Sequence, residues 1–243
     1  MNESCIIFGG GGFIGSHIAE DLIKNGIKVN IFDKQNASKR NVEHLLDKIN
    51  FIEGDFNNEV DISKALKGNS FAVHLVSSTV PATSNLNTYY DVESNLVSSL
   101  HLFEKCVEYK VKRLIFISSG GTVYGNPDKL PISEKHPTNP ISSYGVIKLA
   151  IEKYLYTYNI LKGLDYKILR FANPFGERQN PFLTQGLIAH LLYKIKQGET
   201  IEIWGDGKTV RDYFYIKDGA GSIFRALKDK STNRIYNISS GKG

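Results

Sequence analysis

The sequence predicts an α/β fold, a doubly wound parallel sheet followed by a small second lobe. Three observations support this. Short apolar runs alternate with amphipathic helical patterns through the first 173 residues. A run of glycines follows the first apolar segment directly. After Asn173 the alternation stops, and prolines and shorter elements take over. Short apolar strands separated by helices form parallel sheets that helices cover on both faces.

The elements follow from this alternation in order along the chain. Apolar runs bounded by polar or turn residues predict strands, and a repeat of apolar residues every three or four positions predicts helices. The predicted strands are Ser4–Phe8, Lys28–Asp33, Ile49–Asp55, Phe71–Val76, Arg113–Ser119 and Tyr166–Asn173. The predicted helices between them are Phe13–Asn25, Tyr89–Tyr109 and Ser142–Leu161. The second lobe is predicted to hold helices Leu183–Gln197 and Lys217–Lys228 and strands Ile201–Trp204 and Asp212–Tyr215.

Composition excludes several classes of protein. The net charge is +5, from 30 basic and 25 acidic residues, and these are scattered without a basic run, so we expect no nucleic-acid partner. Cys5 and Cys106 lie in apolar surroundings without metal-ligand spacing, which predicts buried free thiols and no metal site. The N-terminal segment lacks the pattern of a signal peptide and no apolar run is long enough to span a bilayer. We therefore expect a cytoplasmic protein without membrane contact.

The segment "IIFGGGGFIGSH" predicts a dinucleotide site. Its glycines fit two spacings at once, G-x-x-G-x-x-G at Gly9, Gly12 and Gly15 and G-x-G-x-x-G at Gly10, Gly12 and Gly15. Glycines there permit a tight turn and close approach of a diphosphate to the backbone. Phe13 and Ile14 begin the following helix, whose free N–H groups can bind the phosphates. This is the arrangement of a Rossmann domain.

The choice of cofactor depends on Asp33, which ends the second predicted strand. A carboxylate there accepts hydrogen bonds from the adenosine ribose and repels a 2′-phosphate, so the prediction is NAD. Three nearby basic residues instead favour NADP, because their positive charges can neutralise its 2′-phosphate. They are Lys34, Lys39 and Arg40.

Further contacts with the cofactor are predicted at the ends of the next two strands. Asp55 in "EGDF" is placed to reach the adenine edge, although an Asp of an ordinary turn fits the spacing nearly as well. Lys34 beside Asp33, Phe56 beside Asp55, and Val76 at the end of the fourth strand complete the predicted set.

The segment "SSYGVIKLAIEKYL" carries Tyr144 and Lys148 four positions apart, on one face of a predicted helix. A free tyrosine, with a pKa of about 10, is a poor base at neutral pH. A neighbouring ammonium group and the positive ring of an oxidised nicotinamide both favour the phenolate. An ordinary amphipathic helix gives the same spacing, so the pair alone is weak evidence.

With this pair, the sequence resembles the extended short-chain dehydrogenase/reductases of the NAD-dependent epimerase/dehydratase family, most closely the UDP-glucose 4-epimerase branch. The matching segments occur in the family's order and span nearly the whole chain. They are "GGGGFIGSH", "FDKQNASKR", "EGDF", "VHLVSS", "ISSGGTVYG", "SSYGVIKLAIEKY", "RFANPFGERQ" and "WGDGKTVRDYFYIKD". Together they are specific to the superfamily and less specific to one substrate.

The resemblance implies a nucleotide-sugar 4-epimerase, with UDP-sugars favoured as substrates. Tyr144 would remove the proton of the sugar 4-hydroxyl while NAD takes and returns the C4 hydride, and Lys148 would hold the nicotinamide ribose. Asn95 matches an asparagine beside the site, although a solvent-facing helix residue fits equally well. Asn173 and Arg211 match residues that contact the diphosphate, with an exposed strand-edge charge as the alternative for Arg211. A homodimer through helices Tyr89–Tyr109 and Ser142–Leu161 is also implied.

The segment "ISSGGTVYG" departs from the family's pattern. The family usually places a Ser or Thr where this chain has Gly120. We predict that Thr122 substitutes for that hydroxyl, with Ser119 as second choice; the alternative is that both only pack or cap the loop. A 4,6-dehydratase would have Asp-Glu where this chain has Gly121 and Thr122, so dehydration is excluded.

The resemblance also predicts the domain division. Residues 1–173 form a Rossmann domain that binds NAD, and residues 174–243 form part of a nucleotide-sugar-binding lobe. Because "IYNISSGKG" stops inside a family motif, we expect the lobe to be truncated and to lack a further arginine. Two other functions stay open: a 4-keto-sugar reductase, and a dinucleotide-binding protein without catalysis.

Overall fold

A parallel sheet forms the centre of the protein. The computed structural model describes residues 3–183, 185–203 and 205–243. Within them, seven strands pair in parallel in the order β3-β2-β1-β4-β5-β6-β9. These strands are β1 (Ser4–Phe8), β2 (Lys28–Asp33), β3 (Ile49–Glu53), β4 (Phe71–His74), β5 (Arg113–Ser119), β6 (Tyr166–Phe171) and β9 (Ile235–Ile238). A separate parallel pair joins β7 (Asn173–Phe175) to β8 (Tyr213–Tyr215).

Helices cover both faces of the sheet. The α-helices of the described residues are α1 (Phe13–Lys24), α2 (Glu59–Leu66), α3 (Thr88–Asp91), α4 (Ser98–Glu108), α5 (Ser143–Lys162), α6 (Leu187–Gln197) and α7 (Ile216–Lys228). Helix α6 buries no residue and does not belong to the layers on the sheet. A π-helical turn, Val92–Val97, joins α3 to α4. Helices α1 and α7 pack together on one face, and α2, α4 and α5 pack on the other. The predicted doubly wound architecture is confirmed.

The alternation of side chains along the central strands explains why both faces are covered. In β1, Cys5 and Ile7 belong to the core beneath α1 and α7, whereas Ile6 and Phe8 belong to the core beneath α2, α4 and α5. All four side chains are fully buried. A strand that is apolar on both faces requires a helical layer on each side. Cys5 and Cys106 are free and buried, as predicted, and burial raises the pKa of each thiol.

Several predicted boundaries differ from the structure for local reasons. Strand β3 ends at Glu53 because the backbone N–H of Asp55 turns away to donate to the Asp61 carboxylate. The predicted long helix Tyr89–Tyr109 is interrupted by the π-helical turn. Helix α6 begins at Leu187 rather than Leu183. Residues 201–203 are exposed and form no strand, and Trp204 of that predicted strand lies outside the described residues.

The sequence-based prediction did not include α2, β7 or β9. Helix α2 begins after Asn58, whose side chain accepts a hydrogen bond from the Val60 N–H. Strand β9 lies beside β6 in the main sheet, with Ile168 opposite Ile235. Because α7 packs on α1 and β9 extends the main sheet, part of the chain beyond residue 173 completes the Rossmann layer. In the described residues, no helix is long and apolar enough to cross a bilayer.

Candidate functional site

The glycine turn between β1 and α1 brings backbone very close to backbone. Gly9 has a φ of +83°, which favours glycine, and a Cβ on Gly15 would lie 2.6 Å from both the Gly10 Cα and the Gly9 carbonyl oxygen. Helix α1 begins after Gly12, which caps it without any side-chain hydrogen bond. The N–H groups of the first turn, at Phe13 and Ile14, can therefore bind phosphate oxygens. This geometry fits a dinucleotide.

Asp33 lies directly against this turn. Its Oδ2 accepts a hydrogen bond of 2.9 Å from the Gly11 N–H, and its Oδ1 accepts one of 2.9 Å from the Lys34 N–H. Lys39, one of the residues that favoured NADP, pairs at 2.8 Å with Glu53. The Asp33 carboxylate is thus held against the glycine turn, while the charge of Lys39 is paired with Glu53.

The residues predicted after the next two strands have different environments. The Asp55 Oδ1 accepts hydrogen bonds from the backbone and the side chain of Asn57, which is the geometry of an ordinary turn. The Phe56 ring is buried in the core, 5.1 Å from the His74 ring, so only its backbone can reach a cofactor. Val76 is half-buried after β4.

Tyr144 and Lys148 lie in the first two turns of α5. This helix begins at Ser143, and the Ser142 side chain caps it by accepting a hydrogen bond from the Gly145 N–H. The Lys148 Nζ lies 5.5 Å from the centroid of the Tyr144 ring and donates a 3.2 Å hydrogen bond to the Ile117 carbonyl. Lys148 is only 5% exposed. The half-buried Tyr144 and the buried Lys148 therefore lie together near the carboxyl end of β5.

Burial controls the charges of this pair. It raises the pKa of Tyr144 to about 12, and the negative charge of Asp91 adds to that rise. It lowers the pKa of Lys148 to about 8, against the opposing influence of Glu152 and Asp91. The protein alone thus keeps Tyr144 as a phenol at neutral pH, and the nearby ammonium group does not offset the effect of burial.

The hydroxyl groups near Gly120 separate into three environments. The Thr122 Oγ1 is buried and has no hydrogen-bond partner in the described part of the chain. The Ser118 hydroxyl donates to the buried Glu152 carboxylate at 2.5 Å. Ser119 is half-buried. A Cβ on Gly120 would lie 3.2 Å from the Arg170 carbonyl oxygen, which is a tight contact with backbone and favours glycine at this position.

Asn95 lies in the π-helical turn and is 5% exposed, so it does not face solvent. Its Oδ1 accepts a hydrogen bond of 2.8 Å from the Ser78 N–H, and its Nδ2 donates one of 2.9 Å to Asp91. Both its amide atoms are thus engaged with neighbours of the site.

The two residues predicted to bind the diphosphate lie in the second lobe. Asn173 begins β7, and its Nδ2 donates a 2.8 Å hydrogen bond to the Asp212 carbonyl, which leaves its Oδ1 as an acceptor. Arg211 lies just before β8 with an exposed side chain that contacts the Val210 carbonyl at 2.9 Å. The pairing of β7 with β8 brings these two segments together.

Two buried carboxylates near the pair were not singled out from the sequence. Asp91 precedes Asn95 by one helical turn, and Glu152 follows Lys148 by one turn. Glu152 forms a buried ion pair with Arg170, with an Oε2 to Nη2 distance of 2.5 Å. The sequence did show an acid four positions from Asn95 and another four positions from Lys148. Helix spacing alone, however, does not distinguish buried acids from exposed ones.

Comparison with known proteins identifies the family. The model of the NAD dependent epimerase/dehydratase family matches residues 5–239. The chain belongs to this family. It is 31% identical over 241 residues to the UDP-glucose 4-epimerase of Mycolicibacterium smegmatis, covering 97% of this chain and 77% of that protein.

Solved structures agree with this assignment. The UDP-glucose 4-epimerase of Thermotoga maritima with UDP-glucose superposes with a TM-score of 0.92 at 36% identity, covering 99% of this chain and 78% of that one. The UDP-glucose 4-epimerase of Thermus thermophilus in complex with NAD gives 0.89 at 32% identity, with 99% and 78% covered. The predicted family, fold class and NAD dependence are confirmed.

Proposed function

We propose that this protein is a NAD-dependent nucleotide-sugar 4-epimerase that acts on UDP-sugars by transient oxidation at sugar C4. The observation that carries the proposal is the close pair of Tyr144 and buried Lys148 in a family member whose glycine turn follows β1 of the same sheet. The absence of acidic residues at Gly121 and Thr122 argues against dehydration. Known epimerases that match nearly the whole chain support the same class of reaction.

Each residue has a role in this reaction. Tyr144 accepts the proton of the 4-hydroxyl, and Lys148 binds the nicotinamide ribose and holds positive charge near the phenol. The Thr122 hydroxyl, buried here without a partner among the described residues, orients the sugar through a hydrogen bond after a small shift that the neighbouring glycines permit. Asn173 and Arg211 bind the diphosphate, for which the planar guanidinium is well suited. When bound, NAD supplies the hydride acceptor at C4 and the positive charge that favours the phenolate.

NAD is proposed to lie along the glycine turn. The first-turn N–H groups of α1 bind its diphosphate, and Asp33 binds the adenosine ribose hydroxyls. The exclusion of a 2′-phosphate follows from the Asp33 charge at that position. Gly9, Gly12 and Gly15 have no Cβ atom, so the diphosphate can approach the backbone there.

We also propose a homodimer through α3–α4 and α5. Leu102 and Phe103 of α4 and Leu155 of α5 are buried in the core, whereas Tyr89 and Tyr154 remain exposed on the same helical segments. Helices with apolar residues on two sides favour a second partner. Light scattering at micromolar concentration tests this, and a monomeric mass would contradict it.

The decisive experiment incubates the protein with NAD and either UDP-glucose or UDP-galactose, and follows sugar configuration by NMR together with absorbance of reduced cofactor. Inversion at C4 without net cofactor reduction is the expected result. Stoichiometric oxidation of added NADH by a 4-keto sugar would indicate a reductase instead. Tight NAD binding without turnover would indicate a binding protein, and Tyr144→Phe serves as the inactive control.

A further inference from the structure

A buried carboxylate, Asp91, ties three separate segments together beside Tyr144. It ends α3 and is fully buried. Its Oδ1 accepts hydrogen bonds from the Thr79 hydroxyl at 2.5 Å and from the Asn95 amide at 2.9 Å. Its Oδ2 accepts one from the Ser143 hydroxyl at 2.5 Å. The loop after β4, the π-helical turn and the catalytic helix thus meet at one side chain.

These donors are neutral, so none of them cancels the charge of Asp91. Burying an ionised carboxylate is costly unless hydrogen bonds or an opposite charge compensate for it. The start of α5 provides part of that compensation, because the N-terminus of a helix favours negative charge. This carboxylate is costly to bury and accepts a hydrogen bond from Ser143, the residue directly before Tyr144, so it calls for a reason beyond packing.

The contact at Ser143 determines where α5 begins. Ser143 is the first residue of α5 and directly precedes Tyr144. Its backbone N–H donates to the Asn85 side chain at 2.8 Å, and the Tyr144 N–H donates to the Ser84 hydroxyl at 3.0 Å. The first turn of the helix is therefore held from two directions, by residues 84–85 through its backbone and by Asp91 through a side chain.

We propose that Asp91 is a positioning residue for Tyr144: its buried carboxylate fixes the first turn of α5 against the loop after β4 and the π-helical turn, and so sets where the phenol meets the substrate. This inference rests on the proposed epimerase function. Asp91 contacts neither the phenol oxygen nor Lys148 by a hydrogen bond, and it acts through Ser143 and through its charge.

The charge of Asp91 also acts on both members of the pair. It raises the pKa of Tyr144 and opposes the lowering of the Lys148 pKa by burial. Other charged or titratable groups of the described chain that surround the pair are His74 from β4, Glu152 from α5 and Arg170 from β6. Of these, Glu152 is ion-paired with Arg170, and burial together with the Lys148 charge lowers the pKa of His74. Glu152 acts on Lys148 more strongly than Asp91 does, but Asp91 is the acid whose charge acts on both Tyr144 and Lys148.

Two substitutions separate position from charge. Asp91→Ala removes the carboxylate and its hydrogen bonds, so kcat for epimerisation should fall about 100-fold with KM changed less than threefold, as expected when a catalytic group is displaced by about 1 Å. Asp91→Asn keeps the shape and can still bond Thr79, Asn95 and Ser143, so most of kcat should remain. Without the negative charge, the pH midpoints of both Tyr144 and Lys148 should move to lower pH.

The Lys148 midpoint is measured without substrate or turnover, by NMR of 13C-labelled lysine in the full chain, with Lys148→Met to assign the signal. In the wild-type protein it should lie near pH 8. It should move to lower pH in Asp91→Asn and stay in place in Ser143→Ala, which removes one hydrogen bond and keeps the charge.

The outcomes distinguish this inference from the proposed function. A wild-type protein that epimerises UDP-sugars while Asp91→Ala keeps kcat within threefold would overturn the positioning role alone. An unchanged Lys148 midpoint in Asp91→Asn would overturn the electrostatic role. If Asp91→Ala does not fold, Asp91→Asn tests the inference instead. Its Lys148 midpoint and the acidic limb of its kcat/KM profile should both lie at lower pH than in the wild-type protein. A wild-type protein without turnover would contradict the function, and the NMR titration still tests Asp91.

Discussion

Thr122 offers a test in which stability and activity should change in opposite directions. Its Oγ1 is buried and unpartnered within the described residues, whereas we propose that this hydroxyl binds the sugar. Thr122→Val replaces the hydroxyl by a methyl group of similar size. The substitution removes no hydrogen bond of the folded protein, so it separates a functional hydroxyl from a structural one.

The expected magnitudes follow from the environment of that atom. A buried polar group without a partner costs about 1–3 kcal/mol, so removing it should raise the free energy of unfolding by a similar amount. For a chain of 243 residues this corresponds to a rise in Tm of about 2–4 °C per kcal/mol. Loss of an oriented hydrogen bond in the transition state should lower kcat roughly 30- to 1000-fold, equivalent to about 2–4 kcal/mol.

The assay combines thermal unfolding of the NAD-loaded protein with the rate of UDP-galactose formation from UDP-glucose. Ser119→Ala is the matched control, because Ser119 is half-buried on the same segment, and it should change neither quantity appreciably. Tyr144→Phe should lower kcat at least as much as Thr122→Val, since it removes the proton acceptor itself.

Three results would refute this reasoning. If Thr122→Val lowers Tm, the hydroxyl caps or packs the loop and is structural. If Thr122→Val keeps full activity while Ser119→Ala loses it, Ser119 is the substituting hydroxyl. If both variants keep full activity, no hydroxyl replaces the one missing at Gly120, and Tyr144 handles the proton alone or through water.

Three further predictions concern the cofactor turn and the core. Asp33→Asn should weaken NAD binding about tenfold and improve NADP binding, measured by titration with both nucleotides; tighter NADP binding by the wild-type protein would contradict the role of Asp33. Gly15→Ala should lower the free energy of unfolding, measured by denaturant titration, by about 1–3 kcal/mol or more, because its Cβ would lie 2.6 Å from backbone atoms. The control Gly221→Ala in α7 has open space around the new Cβ, so it should be neutral or stabilising. Glu152→Gln should lower the free energy of unfolding by about 3–5 kcal/mol, because it leaves the buried Arg170 charge unpaired. Glu104→Gln, in the exposed pair with Lys162, should lower it by less than about 1 kcal/mol. Equal losses would show that burial does not determine how much these ion pairs contribute to stability.

Much of the site was predictable because its signals are local in sequence. The strand, glycine turn and helix around Gly9 and Gly15 follow from short-range patterns, as does the placement of Tyr144 and Lys148 on one face of α5. The pattern around Gly120 also predicted which hydroxyls to compare, although only the structure distinguished the unpartnered Thr122 from the hydrogen-bonded Ser118.

The sequence by itself determined the alternation of strands and helices, the glycine turn and the spacing of Tyr144 and Lys148, because each depends on periodicity or on residues a few positions apart. Only the tertiary structure decided that β9 joins the main sheet beside β6 and that Asp91 meets Ser143, since these contacts join residues far apart in the chain. It also decided that Tyr144 remains a phenol in the protein alone, with a pKa raised to about 12. The physical reason is desolvation, because the cost of burying a charge depends on everything packed around it and not on its neighbours in sequence.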